Sequence, residues 1–195
     1  MNVLVVYSHP NPKSFNHAIK ETLVKRLEEK GAAVCVRDLY DLNFDPVLKA
    51  QDLALFKEGK ASADIKVEPD HVRWADMMFF VCPVWWGGVT ANMRGYFDRV
   101  FSLGFAYAYS PNGVLRLLKG KKAYLINTLG ESNAEYERIG MFKSIKQTLD
   151  EVIFDFCGVT VVGHAFFGSV MTCLPEDRAA MLDEVKQIAD KVLRG

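Results

Sequence analysis

The chain lacks an excess of either charge: 24 Lys and Arg balance 24 Asp and Glu over 195 residues. Nucleic-acid and anionic-membrane binding would call for a basic surplus, so neither is expected. Cysteine is scarce. Cys35, Cys82, Cys157 and Cys173 form no Cys-x-x-Cys pair and no Cys/His cluster of zinc spacing, which leaves buried thiols in a reducing compartment and no metal site as the expectation. No apolar run reaches the roughly 18 residues of a membrane span. The N-terminus shows no basic region, long apolar segment or cleavage site of a leader, so the expected location is the cytoplasm. Gly-x-Gly-x-x-Gly is also missing, which argues against an ordinary dinucleotide-binding Rossmann domain. Repeats and low-complexity tracts are absent. Zero net charge keeps self-repulsion weak, a condition compatible with a dimer.

What is present alternates between two periodicities. Val3–Tyr7, Ala33–Val36, Met77–Val81, Ala123–Asn127 and Val159–Val162 are short apolar runs suited to strands buried on both faces. Between them run helical stripes. Phe15, Ile19, Leu23 and Leu27 repeat every four residues, with Gly31 placed to end the helix. Met93, Tyr96, Phe97, Val100 and Phe101 form a second stripe. Phe142, Ile145, Leu149, Val152 and Ile153 form a third, and Leu182, Val185, Ala189 and Val192 the last. Five strands alternating with helices predict an α/β chain: a doubly wound, five-stranded parallel sheet with helices on both faces. Residues 1–195 read as one domain. An excursion around 40–70 interrupts the alternation and holds a short helical piece near Val47 to Phe56.

In such a sheet, ligands bind beyond the carboxyl ends of the strands. After the first strand stands Ser8-His9-Pro10-Asn11-Pro12-Lys13-Ser14-Phe15-Asn16. Its polar groups lead into a helix N-terminus, which attracts phosphate. Ser14 can cap that helix or donate to a phosphate oxygen; a stiff polar loop with a capped helix is the plainer alternative. After the third strand stands Cys82-Pro83-Val84-Trp85-Trp86-Gly87-Gly88. Two adjacent tryptophans cannot both enter one core. A planar heteroaromatic ligand accounts for them, as does one core tryptophan beside a surface one. After the fourth strand, Asn127-Thr128-Leu129-Gly130-Glu131-Ser132-Asn133, with Tyr136 close behind, offers amides and hydroxyls to a polar ring edge, or makes a surface turn.

These residues resemble those of the NAD(P)H:quinone oxidoreductase family, over nearly the whole chain. Beyond His9, Ser14-Phe15-Asn16 and Pro83-Val84-Trp85-Trp86-Gly87, the resemblance is carried by Asp38-Leu39-Tyr40, Asn43-Phe44-Asp45-Pro46, Phe97-Asp98-Arg99-Val100-Phe101, Phe105-Ala106-Tyr107-Ala108-Tyr109 and Phe156-Cys157-Gly158. It implies a flavodoxin-like sheet and a homodimer with the site at the subunit boundary. It also implies a bound flavin, FAD or FMN with FAD favoured, and ping-pong transfer of two electrons from NADPH or NADH to a quinone or other small aromatic acceptor. By the same resemblance His9, Phe15 and Asn16 hold the phosphate arm, beside the Ser14 read above as a cap or phosphate donor. Pro83, Val84, Trp85, Trp86 and Gly87 line the ring. Thr128, Leu129, Gly130, Glu131 and Tyr136 meet its polar edge, with Tyr136 as the catalytic donor. Asp98 and Arg178 fall where the family contacts the adenosine half of FAD. Trp86, Tyr107 and Tyr109 shape the acceptor pocket, the tyrosines from the neighbouring subunit. The chain departs from the family where a relay histidine would stand, because Phe142 occupies that place. The alternative reading is a flavin-binding regulatory subunit of a membrane transporter.

Overall fold

The computed structural model describes residues 1–194. Its elements in chain order are β1 (Asn2–Tyr7), α1 (Phe15–Glu29), β2 (Ala33–Asp38), α2 (Ala50–Lys57), α3 (Glu68–Trp74), β3 (Met77–Trp85), β4 (Gly88–Val89), α4 (Ala91–Val100), β5 (Tyr107–Ser110), β6 (Gly113–Arg116), β7 (Lys122–Thr128), α5 (Asn133–Arg138), α6 (Met141–Lys146), a π-helical stretch (Gln147–Asp155), β8 (Thr160–Phe167) and α7 (Pro175–Arg194). The central sheet is parallel, in the order β2-β1-β3-β7-β8, with β4 folded back antiparallel on β3.

Side-chain alternation explains why this sheet is covered on both faces. Val3, Val5 and Tyr7 of β1, with Met77, Phe79 and Val81 of β3, join Ile19, Leu23 and Leu27 of α1 and Val185, Ile188 and Ala189 of α7. The intervening Leu4, Val6, Met78, Phe80 and Cys82 point the other way, onto Met93, Tyr96, Phe97 and Val100 of α4 and onto Ile145, Leu149 and Phe154. Each fully buried aliphatic or aromatic side chain stabilises the fold by roughly 1.5–3 kcal/mol. The apolar runs therefore dictate two layers of helix around one sheet. Ser14 starts α1, accepting the His17 N–H at 3.1 Å, and Gly31, at φ +81°, lets the chain turn out of it.

Three elements differ from the sequence expectation. β3 runs on past Val81 to Trp85, carrying Pro83 within it. Pro83 has no N–H to give the ladder, and the strand leaves the sheet soon afterwards. The stripe Phe142 to Ile153 is not one α-helix. Its buried positions are Ile145, Leu149 and Phe154, a step of four and then five, and the five-residue step is met by the π-helical stretch. Val152, expected in the core, is exposed. The aromatic segment from Phe105 continues into a hairpin, β5 paired with β6.

The excursion carries no strand. It is pinned to α4 by Arg99, only 1% exposed, whose guanidinium donates to Asp52 (3.1 Å to each oxygen), Asp64 (2.7 and 3.1 Å) and the Asp45 carbonyl (2.7 Å). Gly95 allows the approach, since a Cβ there would stand 2.3 Å from the Pro46 carbonyl oxygen.

Candidate active site

The carboxyl ends of β1, β3, β7 and β8 open into a cavity of about 600 Å³. Its floor and one wall come from the loop between β1 and α1. That loop is shaped by its own polar groups. The Asn11 N–H donates to His9 Nδ1 at 3.0 Å, the Lys13 N–H to Asn11 Oδ1 at 2.9 Å, and the Ser14 N–H to the Asn11 carbonyl at 3.1 Å. Burial holds the His9 imidazole below its usual pKa. Because Nδ1 accepts the Asn11 N–H, Nε2 is left as the ring's donor. The loop ends at the N-terminus of α1, where first-turn N–H groups lack helical partners and the dipole favours an anion.

Asn16 sits in that first turn, and its Nδ2 donates to Thr128 Oγ1 at 2.7 Å in a buried bond. Its Oδ1 is buried with no partner. A buried polar atom left unsatisfied costs about 1–3 kcal/mol, and this one lies on a residue that lines the cavity.

The second wall is the end of β3 and the turn that follows. Trp86 and Gly87 both have positive φ, at +53° and +77°, the pair of angles of a two-residue type I′ hairpin turn. The turn carries the Trp86 side chain fully into solvent. Trp85 is partly exposed beside it, its ring 5.7 Å from that of His9. Neither tryptophan enters the core. Gly87 is outside the cavity wall. A Cβ there would stand 3.0 Å from Met141 Cε, so its missing side chain admits α6 to the turn.

Of the loop after β7, Thr128 and Gly130 reach the cavity. Leu129 is buried, donating its N–H to the Phe167 carbonyl at 2.8 Å and accepting the Val170 N–H at 3.1 Å. Glu131 is exposed, and its Oε1 accepts the Ser132 N–H at 2.7 Å. Tyr136 stands on α5, half-buried, with its ring 5.8 Å from Phe142 and outside the cavity lining.

The fourth wall belongs to the loop after β8, which the sequence reading passed over. Val170 and Met171 line the cavity, and Arg178 of α7 joins them, Nη2 donating to the Val170 carbonyl at 2.8 Å. Asn11 and Lys13 were likewise not singled out and also line it. The signal for Val170 and Met171 was available: the rule that directs attention to the carboxyl ends of strands applies to the fifth strand as much as to the other four.

Asp98, Tyr107 and Tyr109 lie elsewhere. They line a separate cavity of about 300 Å³ with Leu48, Arg94 and Phe156. Asp98 accepts Arg94 Nε at 3.1 Å, and the tyrosine rings are 5.7 Å apart. One chain therefore brings His9, Ser14, Phe15, Asn16, Pro83, Val84, Trp85, Trp86, Thr128, Gly130 and Arg178 to one cavity and keeps these three from it. Burial pushes the Cys82 thiol up to about 12 and the Cys157 thiol up to about 11, which leaves neither activated as a nucleophile. Among the described residues no group of three His, Cys, Asp or Glu is placed to hold a metal ion, and no helix is long and apolar enough to cross a membrane.

Comparison with known proteins agrees with this geometry. A family described as having a flavodoxin-like fold matches residues 1–193. The chain is similar to a protein of Haemophilus influenzae named an uncharacterized NAD(P)H oxidoreductase, 35% identical over 96% of this chain and 93% of that one. It is 31% identical to NAD(P)H dehydrogenase [quinone] 1 of Rattus norvegicus, over 97% of this chain and 76% of the rat protein. Among solved structures, the NAD(P)H:quinone oxidoreductase of Methanothermobacter marburgensis superposes with a TM-score of 0.88 at 25% identity, covering 98% of this chain and 96% of that one.

Proposed function

The chain belongs to the NAD(P)H:quinone oxidoreductase family with its flavodoxin-like fold, an oxidoreductase enzyme, and from that premise we propose that it is a flavoprotein passing two electrons from NADPH or NADH to a quinone or other small aromatic acceptor. The observation that carries the reading is the unpartnered Oδ1 of Asn16, buried at the N-terminus of α1, on the same cavity as the exposed Trp86. One end of that cavity is polar and electropositive. The other is flat and apolar. A flavin nucleotide has the matching halves, a phosphate arm and a planar ring.

His9, Ser14, Phe15 and Asn16 are the residues proposed to hold the phosphate arm, with Arg178 as the cation beside it. Pro83, Val84, Trp85 and Trp86 would border the ring, and Thr128 and Gly130 its polar edge. A bound flavin supplies two-electron transfer between a reduced nicotinamide nucleotide and an acceptor. The protein contributes position, stacking surface and exclusion of water. Tyr136 is proposed as a hydrogen-bond donor where negative charge develops, with no histidine to relay its proton, since Phe142 packs beside it. One flat wall receives each substrate in turn, which implies ping-pong kinetics. The second cavity, with Tyr107 and Tyr109, is proposed to complete an acceptor pocket across a homodimer boundary. Asp98 stands in that second cavity and Arg178 in the first, so adenosine contacts to FAD would likewise have to span two subunits. A cytoplasmic setting belongs to the same reading.

The test is direct. The purified chain should be yellow, with flavin near one per chain, and heat release followed by chromatography should identify it as FAD or FMN. A colourless protein that takes up neither added FAD nor added FMN overturns the proposal.

A further inference from the structure

Beneath the cavity lies a buried polar chain with no part in the scheme above. Asp150, on the π-helical stretch, places Oδ1 3.0 Å from His164 Nδ1. His164, on β8, places Nε2 2.7 Å from Asn127 Oδ1. Asn127, on β7, donates Nδ2 to the Cys82 carbonyl at 2.8 Å. The His164 side chain is 1% exposed.

The donors and acceptors of this chain can be counted. The Cys82 carbonyl only accepts, so it fixes the Asn127 amide with Oδ1 toward His164. Each ring nitrogen of His164 then faces an oxygen that accepts. A neutral imidazole has one N–H, and in either tautomer its bare nitrogen would stand lone pair to lone pair against Asp150 or Asn127. Only a ring protonated at both nitrogens meets both partners. The Asp150 carboxyl is the more acidic of the two groups by ordinary values, about 3.9 against 6.5, so the second proton belongs on the ring.

We infer that His164 is an imidazolium in the folded protein and acts as a charged positioning residue, holding the carboxyl ends of β3 and β7 in the arrangement the cavity uses. Asn127 precedes Thr128, which receives Asn16. Cys82 precedes Pro83 and Val84 of the cavity wall. The clamp thus stands directly behind two walls, whatever ligand they receive. The charged and titratable groups near it are Asp150 on the π-helical stretch, Lys146 on α6 and Cys82 on β3. Burial is the largest influence and, with Lys146, pulls the imidazole below its usual value, while Asp150 opposes them; against that balance stand the two facing oxygens, which no neutral ring beside an ionised Asp150 can satisfy. The Asn127 oxygen adds a further demand for a proton at Nε2. The proton comes from solvent on folding.

The experiment is a pH series of long-range ¹H–¹⁵N spectra on the full chain, with His164 assigned by its loss in His164→Gln. Both His164 nitrogens should carry protons at pH 7, and the midpoint should fall by at least about one unit in Asp150→Asn. The backbone amides of Val84 and Thr128 should titrate with the same midpoint and follow it down in that variant. A ring with one bare nitrogen at pH 6.5 overturns the charge assignment, and needs only the wild-type protein. A midpoint indifferent to Asp150→Asn overturns the pairing. Amides of Val84 and Thr128 that ignore the titration overturn the positioning role.

Discussion

The Asn16 amide and the Thr128 hydroxyl, 2.7 Å apart, join the first turn of α1 to the end of β7 across the base of the cavity. A hydroxyl both donates and accepts. Asn16 can therefore turn its amide without losing Thr128, offering Oδ1 to a ligand hydroxyl in one orientation and its NH₂ group to a phosphate oxygen in the other. Asn16→Ala should weaken flavin retention roughly tenfold, the worth of about 1.4 kcal/mol, and leave the circular dichroism unchanged. His9→Ala should act in the same direction. The dissociation constant from flavin fluorescence quenching checks both. Unchanged retention in the two variants removes the phosphate-arm assignment.

Trp86 holds a left-handed conformation that costs an L-residue roughly 1–2 kcal/mol, while its side chain packs against nothing in the chain. Trp86→Gly relieves that cost and gives back part of it through a more flexible unfolded state. Its melting temperature should hold or rise slightly, while kcat/KM for the acceptor falls at least tenfold. A variant that loses stability in proportion to activity would show Trp86 to be structural.

Arg99 holds the excursion in place. Burial raises the Asp52 carboxyl, but the bonds from Arg99 and Ser62 outweigh it and bring the group down to about 2. A depressed carboxylate gives stability that is present above its ordinary value of 3.8 and is lost as pH falls from there toward 2. Arg99→Leu strands the buried Asp52 carboxylate, while the half-exposed Asp64 stays solvated, and should cost about 3 kcal/mol. Arg99→Lys cannot span Asp52, Asp64 and the Asp45 carbonyl at once and should recover little of it. Urea denaturation at pH 7 and pH 3.5 reads both effects: the wild-type advantage over Arg99→Leu should shrink at the lower pH.

Two predictions concern turnover. Initial rates with NADPH or NADH and a small quinone should give parallel double-reciprocal lines; lines that intersect, with a ternary complex demonstrated, contradict ping-pong transfer. Tyr136→Phe should slow flavin bleaching in stopped flow by roughly ten- to a hundredfold, the worth of a hydrogen bond to a charged group. A rate within about twofold of wild type at equal flavin occupancy leaves Tyr136 with no part in that step.

Subunit assembly gives the last. Sizing should show a dimer, and Tyr107→Ala and Tyr109→Ala should reduce acceptor use far more than flavin content. An active monomer on dilution would leave the second cavity without the role proposed for it.

The strands were legible because each is buried on both faces and so is nearly continuous in Val, Leu, Met and Phe, as Val3–Tyr7 and Met77–Val81 are. Pro83 concealed the end of β3, because a proline usually marks the exit from a ladder and here sits within the strand. The β5–β6 hairpin had its signal in Asn112-Gly113 after the alternating Tyr107-Ala108-Tyr109, a segment that the family resemblance assigns to an acceptor pocket. The π-helical stretch had none, since a step of five departs from the period that helix reading assumes. Most of the cavity was legible through three loops at strand ends. Val170 and Met171 are ordinary apolar residues, and their one signal is their place after the fifth strand.

The placement of the tryptophans has an optical consequence. The chain has three, Trp74 at 38% exposure, Trp85 at 44% and Trp86 at 105%. None is buried in the core, and Trp85 and Trp86 stand at the cavity while Trp74 ends α3 beside Asn2, so two of the three emitters report the rim of the cavity and none the packing of the sheet. That emission should be red-shifted in the folded protein and change little on unfolding, whereas a planar ring lodged beside Trp85 and Trp86 should quench most of it. Fluorescence is thus a sensor of occupancy in this chain, and a melting curve followed by it will trace release of the ligand before loss of the fold.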